Sequence, residues 1–384
     1  MEYVISSEKR PIKMWTWDLE GDGLQQAMNT ANLPFTFRHV AMMPDAHMGY
    51  GVPIGTVFAS TGPVVVGAVG LDIACGMGAV KTSLTDLDLP TLKTLMGLIR
   101  RDIPVGFNKH KNRQDMPYEL TEGGGLITNS RLVQSSYQLG TLGGGNHFIE
   151  IQKGSDGFIW IMVHSGSRNV GKRVADHYDK LAREMNQRCY SSVPDAWKLA
   201  FLPRGTEEYE DYLSEMDYCV QFAFHNRLRM MEVIKGHMHD LTGCDFGELI
   251  NIAHNFAAME HHFGKNVLVH RKGATRAYKG ELGIVPGSQG SKSYIVSGLG
   301  NKDSFMSCSH GAGRKMGRNA AKIALDLDAE VKMLEDQGIL HSIRGIDNLD
   351  EAAGAYKDIS VVMENQSDLV EIVVELSPLA VVKG

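Results

Sequence analysis

A mixed α/β (α+β) fold follows from three features of the chain. Short apolar runs of strand length alternate with stretches whose apolar residues recur at helical spacing. The 42 glycines among 384 residues are spread along the whole length and punctuate these runs, where separate domains would gather them into linkers. No repeat, low-complexity tract or linker composition interrupts the chain. Length alone would divide it into two or three domains, but this distribution favours one large domain over residues 1–384, with long functional loops.

The elements follow in order. Residues 40–43 read as a strand that runs into Pro44-Asp45-Ala46-His47-Met48-Gly49-Tyr50-Gly51. Residues 63–69 are β-branched and apolar on both faces, as a buried strand requires, and deliver the loop Gly70-Leu71-Asp72-Ile73-Ala74-Cys75-Gly76. A helix comes next: Asp88 caps it, Pro90 suits its first turn, and Leu92, Leu95, Met96 and Ile99 share a face. Residues 109–113 form a basic loop, and the glycine groups at 123–125 and 140–145 frame another helix. The apolar strand 158–163 ends in His164-Ser165-Gly166-Ser167-Arg168. The helix behind it begins near Gly171 and packs Val174, Tyr178 and Leu181. Residues 209–234 predict a long helix, and 249–259 a shorter one carrying His254 and Asn255. A strand at 266–269, a basic turn at 270–276, a loop at 286–290, a strand at 293–296 and a helix over 314–325 follow. Residues 370–375 read as a last strand, and the apolar run 379–382 ties Lys383 into the core.

Composition narrows the function classes. The formal charge of −6 gives no global basic field, so a nucleic-acid partner needs a local basic groove. Five cysteines at irregular spacings argue against a disulfide framework and for a reducing compartment. Residues 1–15 carry charges and no apolar stretch, so no secretory leader is expected. No apolar run approaches the ~20 residues of a membrane helix, and the expected location is the cytoplasm, away from any membrane. The oligomeric state is left open, a monomer being sufficient.

The chemistry gathers around Ser307-Cys308-Ser309-His310-Gly311-Ala312-Gly313-Arg314. Gly311 and Gly313 place no side chain over the backbone, so a phosphate can approach its N–H groups. The helix expected from Arg314 would add the favourable end of its dipole. A neutral imidazole at His310 beside a phosphate can serve as nucleophile, general acid or metal ligand; the alternative is a histidine in a tight helix-entry turn. Asp72 and Cys75, three apart in one loop, can reach a single cation, although an isolated cysteine there is more often a small buried hydrophobe. His147, His164 and His254 are further ligand candidates. Each alone also fits a core or loop histidine, but all three sit where strands end, and sites gather there in sheet-based folds. An Asp/Cys/His₃ set suits Mn²⁺, Zn²⁺ or Fe²⁺. Five donors exceed one structural zinc and suggest two ions sharing Cys75, an arrangement fitted to phosphoryl chemistry. His237, His239, His261 and His262 read as surface helix residues.

These stretches together resemble the RtcB family of RNA ligases. The resemblance is carried by the loops at 44–51 and 69–76 and by Gly140-Thr141-Leu142-Gly143-Gly144-Gly145-Asn146-His147-Phe148-Ile149-Glu150. It continues through His164-Ser165-Gly166-Ser167-Arg168, Ala253-His254-Asn255, Arg271-Lys272-Gly273-Ala274-Thr275, Ser309-His310-Gly311-Ala312-Gly313-Arg314, Ala355-Tyr356-Lys357-Asp358 and the ending Val381-Val382-Lys383-Gly384. Nine motifs in the family's order span nearly the whole chain. The resemblance implies a single RtcB-like domain with central β-sheets flanked by helices and an active site in a central cleft. It also implies joining of RNA 2′,3′-cyclic phosphate or 3′-phosphate ends to 5′-hydroxyl ends with GTP and Mn²⁺. By the same match, His310 would carry a covalent GMP, and Asp72, Cys75, His147, His164 and His254 would bind two manganese ions. Asn146, His147, Phe148, Ile149, Glu150, His254, Asn255, Pro286, Gly287, Ser288, Gln289, Ser293, His310, Gly311, Ala312, Gly313 and Lys383 would form the guanylate site, with Tyr356 stacked on the base. The chain departs from many members at Leu71 and Ala74, where they carry Phe and Asn, which leaves RNA repair and tRNA splicing both open.

The residue types are coherent with that chemistry. Glu150 is free to hold the His310 tautomer or to contact the ribose, Lys383 to read the guanine acceptor edge, and Arg168, Arg271, Arg314 and Arg318 to bind RNA phosphates. The alternative, from another reaction class, is a dinuclear-metal phosphoesterase acting on RNA ends without guanylylation; a third reading is a nucleic-acid-binding protein without turnover.

Overall fold

A computed structural model describes residues 1–384. Two sheets organise it. The first runs in the order Tyr3–Ile5, Ile12–Met14, Thr36–His47, Ile54–Ser60, Lys265–Lys272 and Asn255–His262. The second runs Ile250–Ala253, Gly76–Lys81, Ile159–Ser165, Phe148–Gly154, Val370–Lys383, Ser293–Gly298 and Leu282–Val285. Only Ile12–Met14 and Thr36–His47 pair in parallel within these sheets. Every residue of Ile159–Ser165 is buried, which explains its unbroken apolar run where a half-exposed strand would alternate.

Helices cover the sheets through apolar faces legible in the sequence. In Leu89–Asp102 the Asp88 carboxylate accepts from the Thr91 N–H, and Leu92, Leu95, Met96 and Ile99 are buried. They pack with Met230, Met231 and Ile234 of a second helix onto Ile149, Ile151 and Ile161 of the second sheet. That second helix, Glu207–Thr242, is 36 residues long, opens on a Thr206 cap with three glutamates in its first turn, and stops at Gly243 in the left-handed conformation. Only its middle is periodic enough to read from sequence. Its earlier half packs Tyr212, Met216 and Phe222 against Val174 and Tyr178 of the helix Arg168–Arg188.

Several expectations are corrected. Residues 249–259 form two strands, Ile250–Ala253 and Asn255–His262, because each pairs along its length with a neighbour, Gly76–Lys81 and Lys265–Lys272. A short run with alanines at helical spacing does not reveal such pairing. His261 and His262 therefore lie on a strand, and His262 is buried against Glu260. In the stretch 63–69 only Val64–Val65 is strand, followed by a 3₁₀ turn over Val66–Ala68. The helix expected from Arg314 begins at Arg318 and has 7 residues, so its dipole does not reach Gly311 or Gly313. Between 123 and 145 there are two short helices, Leu126–Asn129 and Leu132–Gln138. The final strand runs to Lys383 and absorbs Pro378 with a register shift beside it, a position where a missing N–H is tolerated.

The topology concentrates chemistry where the sheets meet. His254 is the one residue between a strand of the second sheet and a strand of the first. Cys75 precedes Gly76–Lys81, His147 precedes Phe148–Gly154, and His164 is the penultimate residue of Ile159–Ser165. His310 follows Ser307–Ser309, which pairs with Ala274–Arg276 just beyond the first sheet.

Candidate active site

Four imidazoles lie in a chain. Ring centroids are 5.4 Å apart for His147 and His164, 5.2 Å for His164 and His254, and 4.9 Å for His254 and His310. Cys75 Sγ lies 3.4 Å from His147 Nε2 and 3.1 Å from His164 Nε2, and Asp72 Oδ2 lies 3.3 Å from His147 Nε2. Two overlapping donor sets result, Cys75 with His164 and His254, and Asp72 with Cys75 and His147. His147 Nδ1 donates to the Leu142 carbonyl at 2.9 Å and His164 Nδ1 to the Asn146 carbonyl at 3.0 Å. Those bonds set the tautomers and turn both Nε2 lone pairs toward the thiol.

The donor set fits a divalent cation. Burial, and then the repulsion that neighbouring imidazoles exert on a second positive charge, holds His164 and His254 well below the ordinary histidine range, so both rings are neutral ligands. Burial and then the Asp72 charge push the Cys75 thiol far up, and a cation is what would favour its thiolate. Nδ1 of His254 is buried without a partner. Behind the donors, two consecutive residues of the long helix pin the loops that carry them. Asn226 accepts from the N–H groups of Gly140 and Thr141 and donates to the Thr141 and Gly166 carbonyls. Arg227 donates to the carbonyls of Ala74 and Ser165. Ala74 has φ +59, a left-handed conformation that costs a non-glycine residue about 1–2 kcal/mol, and these contacts hold it there.

His310 is oriented by a residue 265 positions away. Its Nδ1–H donates to Asp45 Oδ2 at 2.6 Å, and the same oxygen accepts from the backbone N–H of His310 at 3.0 Å and of Gly311 at 3.3 Å. Asp45 is fully buried; burial alone would raise its pKa, but the His310 charge and hydrogen bond, with smaller contributions from His47 and Lys357, bring it below the ordinary value. With Nδ1 so committed, Nε2 of His310 carries the free lone pair. Glu150 plays no part in this orientation.

His310 separates two cavities. One, about 230 Å³, is lined by Asn146, Phe148, Glu150, Pro286, Gly287, Ser288, Gln289, Gly311, Ala312, Gly313, Tyr356 and Lys383, together with His47, Arg314, Arg318 and Glu351. Burial raises Glu150 to about 8, against the opposing pull of Lys383 and the Gln152 hydrogen bond. Lys383 is lowered by burial and supported by Glu351 and Glu150. Glu351 is the hub: it lies 3.3 Å from Arg314, 3.1 Å from Arg318 and 3.7 Å from Lys383, and accepts from the Tyr356 hydroxyl. The second cavity, about 340 Å³, takes in Asp72, Cys75, His254, Asn255, Lys272 and Asp179.

Some expected residues lie elsewhere. Ile149 is wholly buried in the apolar core beneath the second sheet. Ser293 sits behind the first cavity, where its hydroxyl accepts from Gly287 N–H and from Gln152. Asn255 lines the second cavity and not the first, and there it braces, donating to the Asp72 carbonyl and accepting from Gly273 N–H. Arg271 is not available to RNA: it is fully buried and paired with Glu260, and Arg168 is spent on the Thr141 hydroxyl and the Gly106 carbonyl. Sequence reasoning missed Asp45, His47 and Glu351. Asp45 and His47 stood in a quoted motif, but nothing local showed what they would face.

Fold and site together define a protein in which an Asp/Cys/His cluster able to hold a cation shares one histidine wall with a charged pocket. Known proteins with matching sequences place it. A family model described as "tRNA-splicing ligase RtcB" matches residues 26–132 and 123–384. The RNA-splicing ligase RtcB of Escherichia coli K12 is 39% identical over 408 residues, covering 99% of each chain. The tRNA-splicing ligase RtcB of Thermococcus kodakarensis is 30% identical over 94% of this chain and 91% of its own. The RNA-splicing ligase RtcB of Mycobacterium tuberculosis is 32% identical over 94% and 100%. The chain belongs to the RtcB family.

Proposed function

We propose that this chain is a GTP-dependent RNA ligase that joins 3′-phosphate or 2′,3′-cyclic phosphate ends to 5′-hydroxyl ends, in RNA repair or tRNA splicing. The observation that carries the reading is the Asp45–His310 hydrogen bond, which leaves Nε2 of His310 as a free nucleophile between the cation donors and the charged pocket. Nε2 attacks the α-phosphorus of GTP, forming an N–P bond while the Pα–O bond to pyrophosphate breaks. A 3′-phosphate oxygen of the RNA (after water has opened a cyclic end) then attacks that phosphorus and returns His310 to its neutral form. The 5′-hydroxyl attacks the activated 3′-phosphorus, its proton is lost, and GMP departs. Two Mn²⁺ ions held by Asp72, Cys75, His147, His164 and His254 would supply charge neutralisation at the phosphate oxygens.

The pocket's own residues select the base. Lys383 donates to guanine O6, Glu150 accepts from the N1–H and 2-amino group, and the Tyr356 ring covers the base face, with Glu351 steadying its hydroxyl. An adenine would present a donor to Lys383 and lack the N1–H. The names carried by the relatives support ligation, and a phosphoesterase would have no use for this base-reading pair. Incubation with α-labelled GTP and Mn²⁺ followed by a denaturing gel tests the proposal. Wild-type protein should retain label and His310→Ala should not. Unlabelled wild-type protein that still binds Mn²⁺ and releases phosphate from RNA ends would favour the phosphoesterase.

A further inference from the structure

The basic loop at 109–113 has a structural setting that the reaction above does not use. Residues 104–114 are stitched to the loop that carries Asn146 and His147. Gly106 N–H donates to the Gly143 carbonyl at 2.7 Å, Leu142 N–H to the Pro104 carbonyl at 2.9 Å, and His110 N–H to the Tyr137 carbonyl at 3.0 Å. Arg168 donates to the Gly106 carbonyl at 3.0 Å from beneath. Held by these bonds, Phe107 is entirely exposed, at 107% of its reference area. A rigid loop that offers a whole phenyl ring to solvent, with no apolar neighbour over it, is a stacking platform without its partner.

The cations are placed to match. Lys109, Lys111 and Arg113 are exposed with no acid among them from 107 to 114. Lys109 Nζ and Arg113 Cζ stand 5.2 and 6.0 Å from the centroid of the Tyr137 ring. The glycine run 143–145 links this loop to the cavities, with Gly144 exposed and Gly145 half-buried. A Cβ on Gly144 would be 3.6 Å from Gly106 Cα, and one on Gly145 would be 2.7 Å from Nη2 of Arg318. Arg318 lines both cavities and its side chain is half exposed. Exposed backbone at Gly144 therefore lies between the Arg318 guanidinium, which covers Gly145, and the aromatic–cation cluster of the loop.

We propose that this path, Arg318 to Gly145, Gly144, Phe107 and then Lys109, Lys111 and Arg113, carries the single-stranded RNA segment adjoining the reacting end. The inference rests on the RNA-ligase reading and adds where the strand runs: a base stacks on Phe107 and the three cations meet successive phosphates.

Fluorescence anisotropy with a labelled oligoribonucleotide, about twenty nucleotides long to exceed a typical single-strand site, tests it across a salt series. One arm uses a strand with a 3′-phosphate and the other a strand with only a 5′-hydroxyl, and loss confined to one arm names the strand on the path. Phe107→Ala should weaken binding about five- to a hundredfold with an unchanged salt slope, because a stack and not a charge is lost. The combined Lys109→Glu, Lys111→Glu, Arg113→Glu variant should lower the slope of log affinity against log salt by about two, since each phosphate contact contributes about 0.7. Labelling by GTP should stay within twofold of wild type in both variants, and it serves as the control for folding. Wild-type affinity and slope in both variants would overturn the path while leaving the ligase reading intact. Parallel loss of labelling would make the loop a structural support and overturn it too. Failure of the wild type to bind RNA at all would sink the ligase reading along with the path.

Discussion

The two sides of His310 are built on opposite electrostatic plans. On the cation side, the Asp72 carboxylate, Sγ of Cys75, Nε2 of His147 and His164, and a partnerless nitrogen on His254 converge on one another. Their outer nitrogens and loops are tied to carbonyls and to Asn226 and Arg227, so the site is fixed before any ion arrives. On the side proposed for the nucleotide the charges already face one another. Glu351 engages two arginines, Lys383 and Tyr356, while Glu150 sits protonated by its burial. A cation entering the first side would replace only the contacts that the donors make with one another and the Cys75 proton. On the ligase reading, a base would enter the second only by offering better partners than the residues offer each other, and selectivity would arise from that exchange.

The sharpest way to break this contrast is at the wall the two sides share. Asp45→Ala removes the acceptor that sets the His310 tautomer, and labelling by GTP should fall about 10³-fold or more, by analogy with removal of the orienting carboxylate from other catalytic histidines. Asp45→Asn keeps an oxygen for the two backbone N–H groups but loses the charge, and its amide NH₂ can donate to Nδ1 and shift the tautomer, so labelling should fall by a comparable factor. Mn²⁺ binding should persist in both. If the alanine variant labels within tenfold of wild type, the orientation argument is wrong.

Next in size is the cation side. Loss of an outer-sphere partner costs about 10–100-fold in metal affinity, so Cys75→Ala, which removes a donor common to both sets, should cost more than that. Guanine-nucleotide binding measured without metal should be unchanged. A variant that binds Mn²⁺ normally would show that the thiol is only packing. On the other side, Lys383→Met should weaken GTP binding about 5–150-fold, the worth of one good base-edge contact, while leaving ATP and Mn²⁺ binding alone. Equal losses for GTP and ATP would mean that Lys383 holds the pocket together and does not read the base.

How much of this was legible depended on how far each residue's partners lie along the chain. The capped helix Leu89–Asp102 and the buried strand Ile159–Ser165 were readable because their signals are local. The five ligand candidates were readable as residue types in motifs, yet His254 was expected on a helix, since the pairing that makes its neighbours strands comes from distant segments. Asp45 and Glu351 act on residues brought to them only by folding. Arg271 misled for the same reason in reverse: a basic motif looks available until Glu260, eleven positions back on the neighbouring strand, is seen to occupy it.

The smallest effect separates the two plans by pH. Glu150 is raised to about 8 by burial, against an ordinary value near 4.5, so in the empty protein it is neutral below about 8. The folded state then binds more protons than the unfolded one between those values. Stability contributed by this group is present at low pH and declines as pH rises through the window. Guanine's N1–H and 2-amino group need an acceptor, so binding must release that proton. GTP affinity should therefore climb by up to about tenfold per pH unit below 8 and level off above it. Glu150→Gln keeps an acceptor oxygen without a proton to lose, so its GTP affinity should vary less with pH, and it should be less prone than wild type to lose stability between pH 5 and 8. Isothermal titration with GTP at several pH values, in the absence of metal, keeps the imidazole donors out of the comparison. Parallel pH profiles for wild type and Glu150→Gln would show that the carboxyl is a buried structural group, and base selection would then fall to Lys383 alone.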